Sequence, residues 1–200
     1  MAKWTPGTRK RRNAGRLGVG EGRSLPGLQW KRYWRSITFR IGDSEQRLVL
    51  TPAVLNHLAK HQQSDRNSSE AGGQLFARFK GEQIRVERVT GPRVTDRRSR
   101  YGYIPDRRME QEEINAMHSQ GLHFIGDWHT HPEGIPRVSP SDVHSIRRAF
   151  EQSKHHLNGF VLLIAGTEAF PLGLLLSLYD SQSETAILPA RPRVRFVRSQ

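Results

Sequence analysis

Apolar and polar residues alternate along SITFRI and QRLVL, on either side of Gly42-Asp43-Ser44, and this pattern predicts a strand hairpin. Thr51-Pro52 then supplies a helix start, with a cap residue and a proline in the first turn, for AVLNHLAKHQ. Within that segment Val54, Leu55 and Leu58 fall at i, i+1 and i+4 and make one apolar face. GQLFARF and EQIRVERV, joined at Lys80-Gly81, read as a second hairpin. GPRVTDRRSRYGYIPDRR has the Gly, Pro and Arg content of a loop, and MEQEEINAMHSQ reads as a polar helix closed by Gly121.

The second half repeats the mixture. HFIGDWH is a strand, SPSDVHSIRRAFEQSK a helix and NGFVLLIAG a buried strand. Hairpins, helices and a central strand in this order point to an α+β fold of α/β type, a mixed central β-sheet flanked by helices. The run VLLIAGTEAFPLGLLLSLY is apolar enough to raise the question of a membrane span. Thr167, Glu168 and Pro171 interrupt it, with Gly166 and Gly173 on either side, so two buried strands joined by a turn fit it better.

Composition adds three constraints. Two hundred residues suffice for one domain with a real core. There is no cysteine, which removes disulfides, thiolate nucleophiles and Cys-ligated zinc, and fits a cytoplasmic protein. The net charge is +13, and Met1 to Arg35 hold ten Lys/Arg against the single Glu21. That segment is Gly-rich and aperiodic. It is expected to be a flexible basic arm, 1–35, ahead of one folded domain over 36–200. It suits nucleic acid or an acidic partner, and equally a solubilising tail. The basic start is followed by no apolar run, so no secretory signal and no membrane association are expected.

The chemistry concentrates in HTHPEGIPRVSPSD. In an extended segment residues i and i+2 face the same side, so His129 and His131 project two imidazoles together from the end of HFIGDWH. Neutral imidazole is a preferred zinc ligand, and a carboxylate as third ligand would leave a fourth position open for catalysis. Asp142 is the nearest candidate, with Pro132, Gly134 and Pro136 letting the chain turn back. Ser139-Pro140-Ser141-Asp142 is also a good helix N-terminus, and capping alone accounts for Ser139 and Asp142. It does not account for two histidines on one side just before them.

His-x-His, seven residues, then Ser-x-x-Asp, with a glutamate far upstream, resembles the JAMM/MPN (JAB-domain) metalloprotease pattern. The upstream match is SSEAGGQLF, similar to the Glu-x-x-Gly-x-Leu start of that family, and it nominates Glu70. The resemblance runs from Ile37 to Tyr179. EAGGQLFARF together with IGDWHTHPE looks most like bacterial JAB proteins of the integrative-element type. Those accompany E1/E2-like conjugation enzymes in the CBASS anti-phage system and act as deconjugases. The resemblance implies one catalytic Zn2+ held by His129, His131 and Asp142, and a ubiquitin-like-type conjugate as substrate.

It also implies that Glu70 carries the proton from water to the departing amine, and that Ser139 stabilises the oxyanion. By spacing alone, Glu82, Glu110 or Glu113 would serve as well as Glu70. Asp127 shares the ligand face and is expected as a surface acid or a partner to an imidazole, while Trp128 faces the core. Tyr101 and Tyr103 could line a channel for a substrate tail added to a strand edge, and Arg97, Arg98 and Arg100 could meet acidic groups. The competing expectation is a non-catalytic scaffold whose basic arm binds nucleic acid or an acidic partner.

Overall fold

The computed structural model describes residues 32–190. Most of the expected arm therefore lies outside the described residues. Its last part is joined to the domain by Tyr33, whose ring stacks on Phe170 at 5.2 Å between centroids. The Tyr33 backbone exchanges hydrogen bonds of 2.7 and 2.9 Å with the Asn56 amide.

The first hairpin forms from β1 (Ile37–Ile41) and β2 (Arg47–Leu50), turning at Gly42 with φ +50°. Helix α1 (Pro52–Lys60) follows at once, and Val54, Leu55 and Leu58 are buried on one face as their spacing requires. Thr51 has the extended backbone of a cap residue but its hydroxyl makes no cap bond, so only the proline half of the expected start signal operates. The second hairpin is β3 (Gly72–Lys80) and β4 (Gln83–Val89). The segment expected as loop contains a small separate hairpin, β5 (Arg97–Ser99) and β6 (Gly102–Ile104). Helix α2 (Arg107–Ser119) starts where the Asp106 side chain accepts from the amides of Arg108 and Met109.

Strand β7 (His123–Thr130), helix α3 (Pro140–Gln152) and strands β8 (Phe160–Ala165), β9 (Leu174–Tyr179) and β10 (Glu184–Pro189) complete the chain. β8 and β9 are the two strands expected from the long apolar run, and among the described residues no helix is long and apolar enough to cross a membrane. The sheet is mixed, with parallel pairs β2/β4 and β7/β8 among antiparallel neighbours. It also closes: β1 pairs with β10, Phe39 opposite Pro189 and Ile41 opposite Ile187, giving a barrel in the order β1-β10-β9-β8-β7-β3-β4-β2.

Two cores follow from the closure. Val161, Leu163 and Ala165 of β8 face the barrel interior, where Val54, Leu55 and Leu58 of α1 join them. Phe160, Leu162 and Ile164 face outward onto Ile146 of α3. A strand buried on both faces must be apolar throughout, which is why FVLLIA has no alternation.

Strand β7 needs one irregularity to serve this arrangement. Ile125 and Trp128 are both in the barrel core although three residues apart, which unbroken alternation forbids. Gly126 resolves the conflict: its φ is +142°, and the β3/β7 register slips beside it, between Leu75 and Phe76. Beyond the slip Trp128 points inward, while Asp127 and His129 line the opposite side.

Candidate active site

The C-terminal end of β7 carries the two histidines. His131 continues the extended path, its amide donating to the Ala165 carbonyl at 3.0 Å, so both rings stand on one side. Their Nε2 atoms are 3.2 Å apart. Two imidazoles bound to one tetrahedral zinc at ~2.0–2.1 Å would hold their nitrogens about 3.3 Å apart, so the observed pair fits such an ion without rearrangement. Burial, and then the neighbouring His129, push the His131 imidazole below its ordinary value, favouring the neutral form that binds metal.

Asp142 arrives from the first turn of α3. Its Oδ1 lies 3.4 Å from His129 Nε2 and its Oδ2 3.7 Å from His131 Nε2. Burial works against its charge, yet hydrogen bonding and charge from His129 and the bonds from Ser139 hold the carboxyl well below the usual carboxylate range. The capping box expected from Ser-x-x-Asp is complete, so Asp142 caps the helix and faces both imidazoles at once. Ser139 Oγ accepts from the Asp142 amide at 3.2 Å and contacts Ser141 Oγ at 2.8 Å.

Glu70 comes from the chain just before β3. Ligand atoms of Glu70, His129 and His131 all lie within 4.8 Å of one another, a grouping able to hold a metal ion. The Glu70 peptide is fixed on both sides by β5: its amide donates to the Ser99 carbonyl at 2.7 Å, and its carbonyl accepts from Arg98 Nε at 2.6 Å. The side chain is 8% exposed, and burial pushes its carboxyl up to about 6; His129 opposes that rise and Asp142 adds to it. The other glutamates open on spacing are not part of this grouping. Glu82 is exposed in the β3–β4 turn, Glu113 is tied to Arg93 at 2.9 Å, and Glu110 is bonded to Arg107 at 2.8 Å.

A cleft of ≈ 110 Å³ opens beside this group, lined by Glu70, Tyr103, Arg107, Glu110, Asp127, His129 and Asp142. Asp127 is thus a cleft residue rather than an ordinary surface acid. Burial, then the charge of Glu110, push its carboxyl up to about 7 against the pull of Arg107. Trp128 is in the core as expected, its indole N–H donating to the Thr90 carbonyl at 2.9 Å.

The β5–β6 hairpin forms one wall. Tyr103 lies against Gly72, where a β-carbon would come within 2.6 Å of its ring, and its hydroxyl donates to Asp96 at 3.0 Å. Tyr101 is exposed at the tip. Arg98 and Arg100 do not project toward a ligand: Arg98 donates to the carbonyls of Ser69 and Glu70, and Arg100 to those of Asp65 and Arg66. Guanidinium donors meet carbonyls that have no strand partner, which makes these arginines clamps on the Glu70 segment. Arg97 remains exposed.

Sequence reasoning missed the residues behind the site. Gln62 donates to the Gly166 and Glu168 carbonyls at 2.6 and 2.9 Å, and residues 167 and 168 bond in turn to Glu133 and Gly134, just past the histidines. Gln63 is buried and bonded to Ser68, Arg100 and Thr130. Nothing in one sequence distinguishes two such glutamines after a helix from side chains that simply face water.

The chain is also similar to known proteins. A family model described as prokaryotic homologs of the JAB domain matches residues 51–174. A protein named CD-NTase/cGAS isopeptidase from Vibrio cholerae is 32% identical over 136 residues, covering 66% of this chain and 83% of its own. Proteins of the same name from Escherichia coli (31% over 108 residues; 52% and 69% covered) and Pseudomonas aeruginosa (32% over 105; 50% and 65%) are also similar. With a family model matching residues 51–174, and Glu70, His129, His131 and Asp142 brought close together, the chain belongs to the prokaryotic JAB family of JAMM-type hydrolases.

Proposed function

We propose that the protein is a zinc-dependent isopeptidase that releases a protein from a ubiquitin-like-type conjugate made by E1/E2-like enzymes, in a CBASS anti-phage setting. The observation that carries the reading is the convergence of Glu70, His129 and His131 within 4.8 Å. The shared name of the three relatives supports the isopeptide as the bond cleaved.

His129, His131 and Asp142 are the residues that would hold zinc, which when bound supplies Lewis acidity and a lowered water pKa. Glu70 takes a proton from the attacking water. Its carboxyl, raised to about 6, is ionised at neutral pH yet basic enough to accept that proton and return it to the departing lysine amine. Ser139 donates to the oxyanion that develops on the scissile carbonyl. Its single hydroxyl proton is available for this when Ser141 is the donor in the contact between them. The strand edge of β6 and the ring of Tyr103 offer an extended tail a backbone ladder and an apolar wall beside the cleft.

The test is cleavage of an isopeptide-linked fusion, with and without chelator, by the full chain and by Glu70→Gln. Cleavage that stops with chelator, returns with zinc, and falls by about 10²–10⁴ in a Glu70→Gln protein that still binds zinc supports the proposal. Wild-type cleavage indifferent to chelator, or an undiminished Glu70→Gln rate, overturns it.

A further inference from the structure

We propose that Gln63 is a positioning residue for the reaction, setting Glu70 against the imidazoles through Thr130. The proposal rests on the reading of Glu70 as the proton carrier. Gln63 lies just past the end of α1, 3% exposed. Its amide nitrogen donates to the Ser68 carbonyl at 3.2 Å and the Arg100 carbonyl at 2.9 Å, and its oxygen accepts from Thr130 Oγ1 at 3.2 Å. Thr130 is fully buried between His129 and His131 in sequence. Its hydroxyl accepts from the Ala71 amide at 2.9 Å, and its own amide donates to the Ala71 carbonyl at 2.8 Å.

These bonds form a closed circuit. Thr130 grips the residue after Glu70, and Gln63 grips the residue two before it and the tip of the β5–β6 hairpin. The directions are determined. Two carbonyls require both amide protons of Gln63, so its oxygen must be the acceptor; the Thr130 hydroxyl, already accepting from Ala71, has one proton and gives it there. A buried carboxamide costs desolvation that an apolar side chain would avoid, and it returns that cost only through bonds of fixed direction. Here the fixed objects are the Glu70 segment, the cleft wall and the strand bearing the histidines. Displacing a reacting group by about 1 Å costs on the order of 10²-fold in rate, so a residue that holds these three in register acts on catalysis without touching substrate.

The experiment compares Gln63→Leu, Thr130→Val and the conservative Thr130→Ser in the full chain. One readout needs neither metal nor activity: hydrogen exchange of the Glu70 amide against the amides of Val161–Ile164 in β8. Gln63→Leu and Thr130→Val should speed exchange at Glu70 by about 10-fold or more while β8 keeps its protection, with Thr130→Ser unchanged. In cleavage, the same two variants should lose kcat on the order of 10-fold to 100-fold with KM unchanged, and their double variant should lose no more than the worse of them. Uniform loss of protection in Glu70 and β8 alike would make the pair merely stabilising and overturn the proposal. An unchanged Glu70 amide, or an unchanged kcat, overturns it as well. Should Gln63→Leu fail to fold, Thr130→Val, which replaces one hydroxyl by a methyl, decides alone. An undiminished Glu70→Gln rate would remove Glu70 from the chemistry while the exchange experiment still decided what holds it.

Discussion

Ser139 and Asp142 are bonded to each other in both directions, Ser139 N–H to Asp142 Oδ2 at 2.7 Å and Asp142 N–H to Ser139 Oγ at 3.2 Å. The same carboxylate faces both imidazoles. Helix capping and metal ligation are therefore one geometry: the cap fixes the rotamer in which the carboxylate meets the histidines. The two functions are separable by substitution. Asp142→Asn keeps an oxygen for the Ser139 amide but loses the charge that His129 favours, so its Tm in chelator should fall less than that of Asp142→Ala while zinc affinity falls. Asp142→Ala should lose about 1 kcal/mol of stability as well. Equal zinc affinity in wild type and Asp142→Asn, by calorimetric titration, would remove Asp142 from the ligand set.

Zinc should stabilise the fold only where both imidazoles are intact. A ligand at 100 times its Kd adds about 2.7 kcal/mol, on the order of 5–10 °C in Tm for a domain of this size. His129→Ala and His131→Ala should lose most of that shift, and in chelator they should melt near the wild type. A full zinc-induced shift in both variants would place the ion elsewhere.

The parts of this molecule that a sequence shows are those governed by neighbours in the chain. Alternation in β1, the apolar face of α1, and the i, i+2 placement of His129 and His131 are local consequences of strand and helix geometry, and each stands where it was expected. Closure of the barrel depends on β1 meeting β10, nearly 150 residues later, and β10 carries one buried residue, Ile187, in a strand of six. Such a strand has no pattern of its own. The β5 strand is three exposed residues, Arg97 to Ser99, recognisable only by what it holds, the Glu70 peptide. Arg98 looked like a ligand for acids because charge was all the sequence displayed. Its partners are backbone carbonyls, which carry no residue identity to read.

Gly126 should be irreplaceable. A β-carbon there would lie 2.0 Å from the Val161 carbonyl oxygen, at a φ of +142° that side chains avoid. Gly126→Ala should destabilise by at least about 3 kcal/mol in urea, because neither the backbone angle nor the approach to β8 can be kept. Because the same slip sets which side of β7 faces the cleft, the surviving folded fraction should also bind zinc poorly. A variant with wild-type midpoint and zinc affinity would show that the slip is not needed to place His129.

Asp127 should weaken the fold as pH rises. Its ordinary value near 3.8 is pushed up to about 7, first by burial and then by Glu110. Between those two pH values the native protein holds a proton that the unfolded chain has released. Stability from this group therefore falls progressively as pH rises from about 4 to about 7, and the whole penalty is present above that. Asp127→Asn removes the charge and keeps the shape. In chelator, its Tm should exceed that of the wild type clearly at pH 8, less at pH 5, and hardly at pH 4. A difference between the two proteins that is constant over this range would mean that Asp127 is solvated like any surface acid, and that the cleft floor beside His129 is open to bulk water.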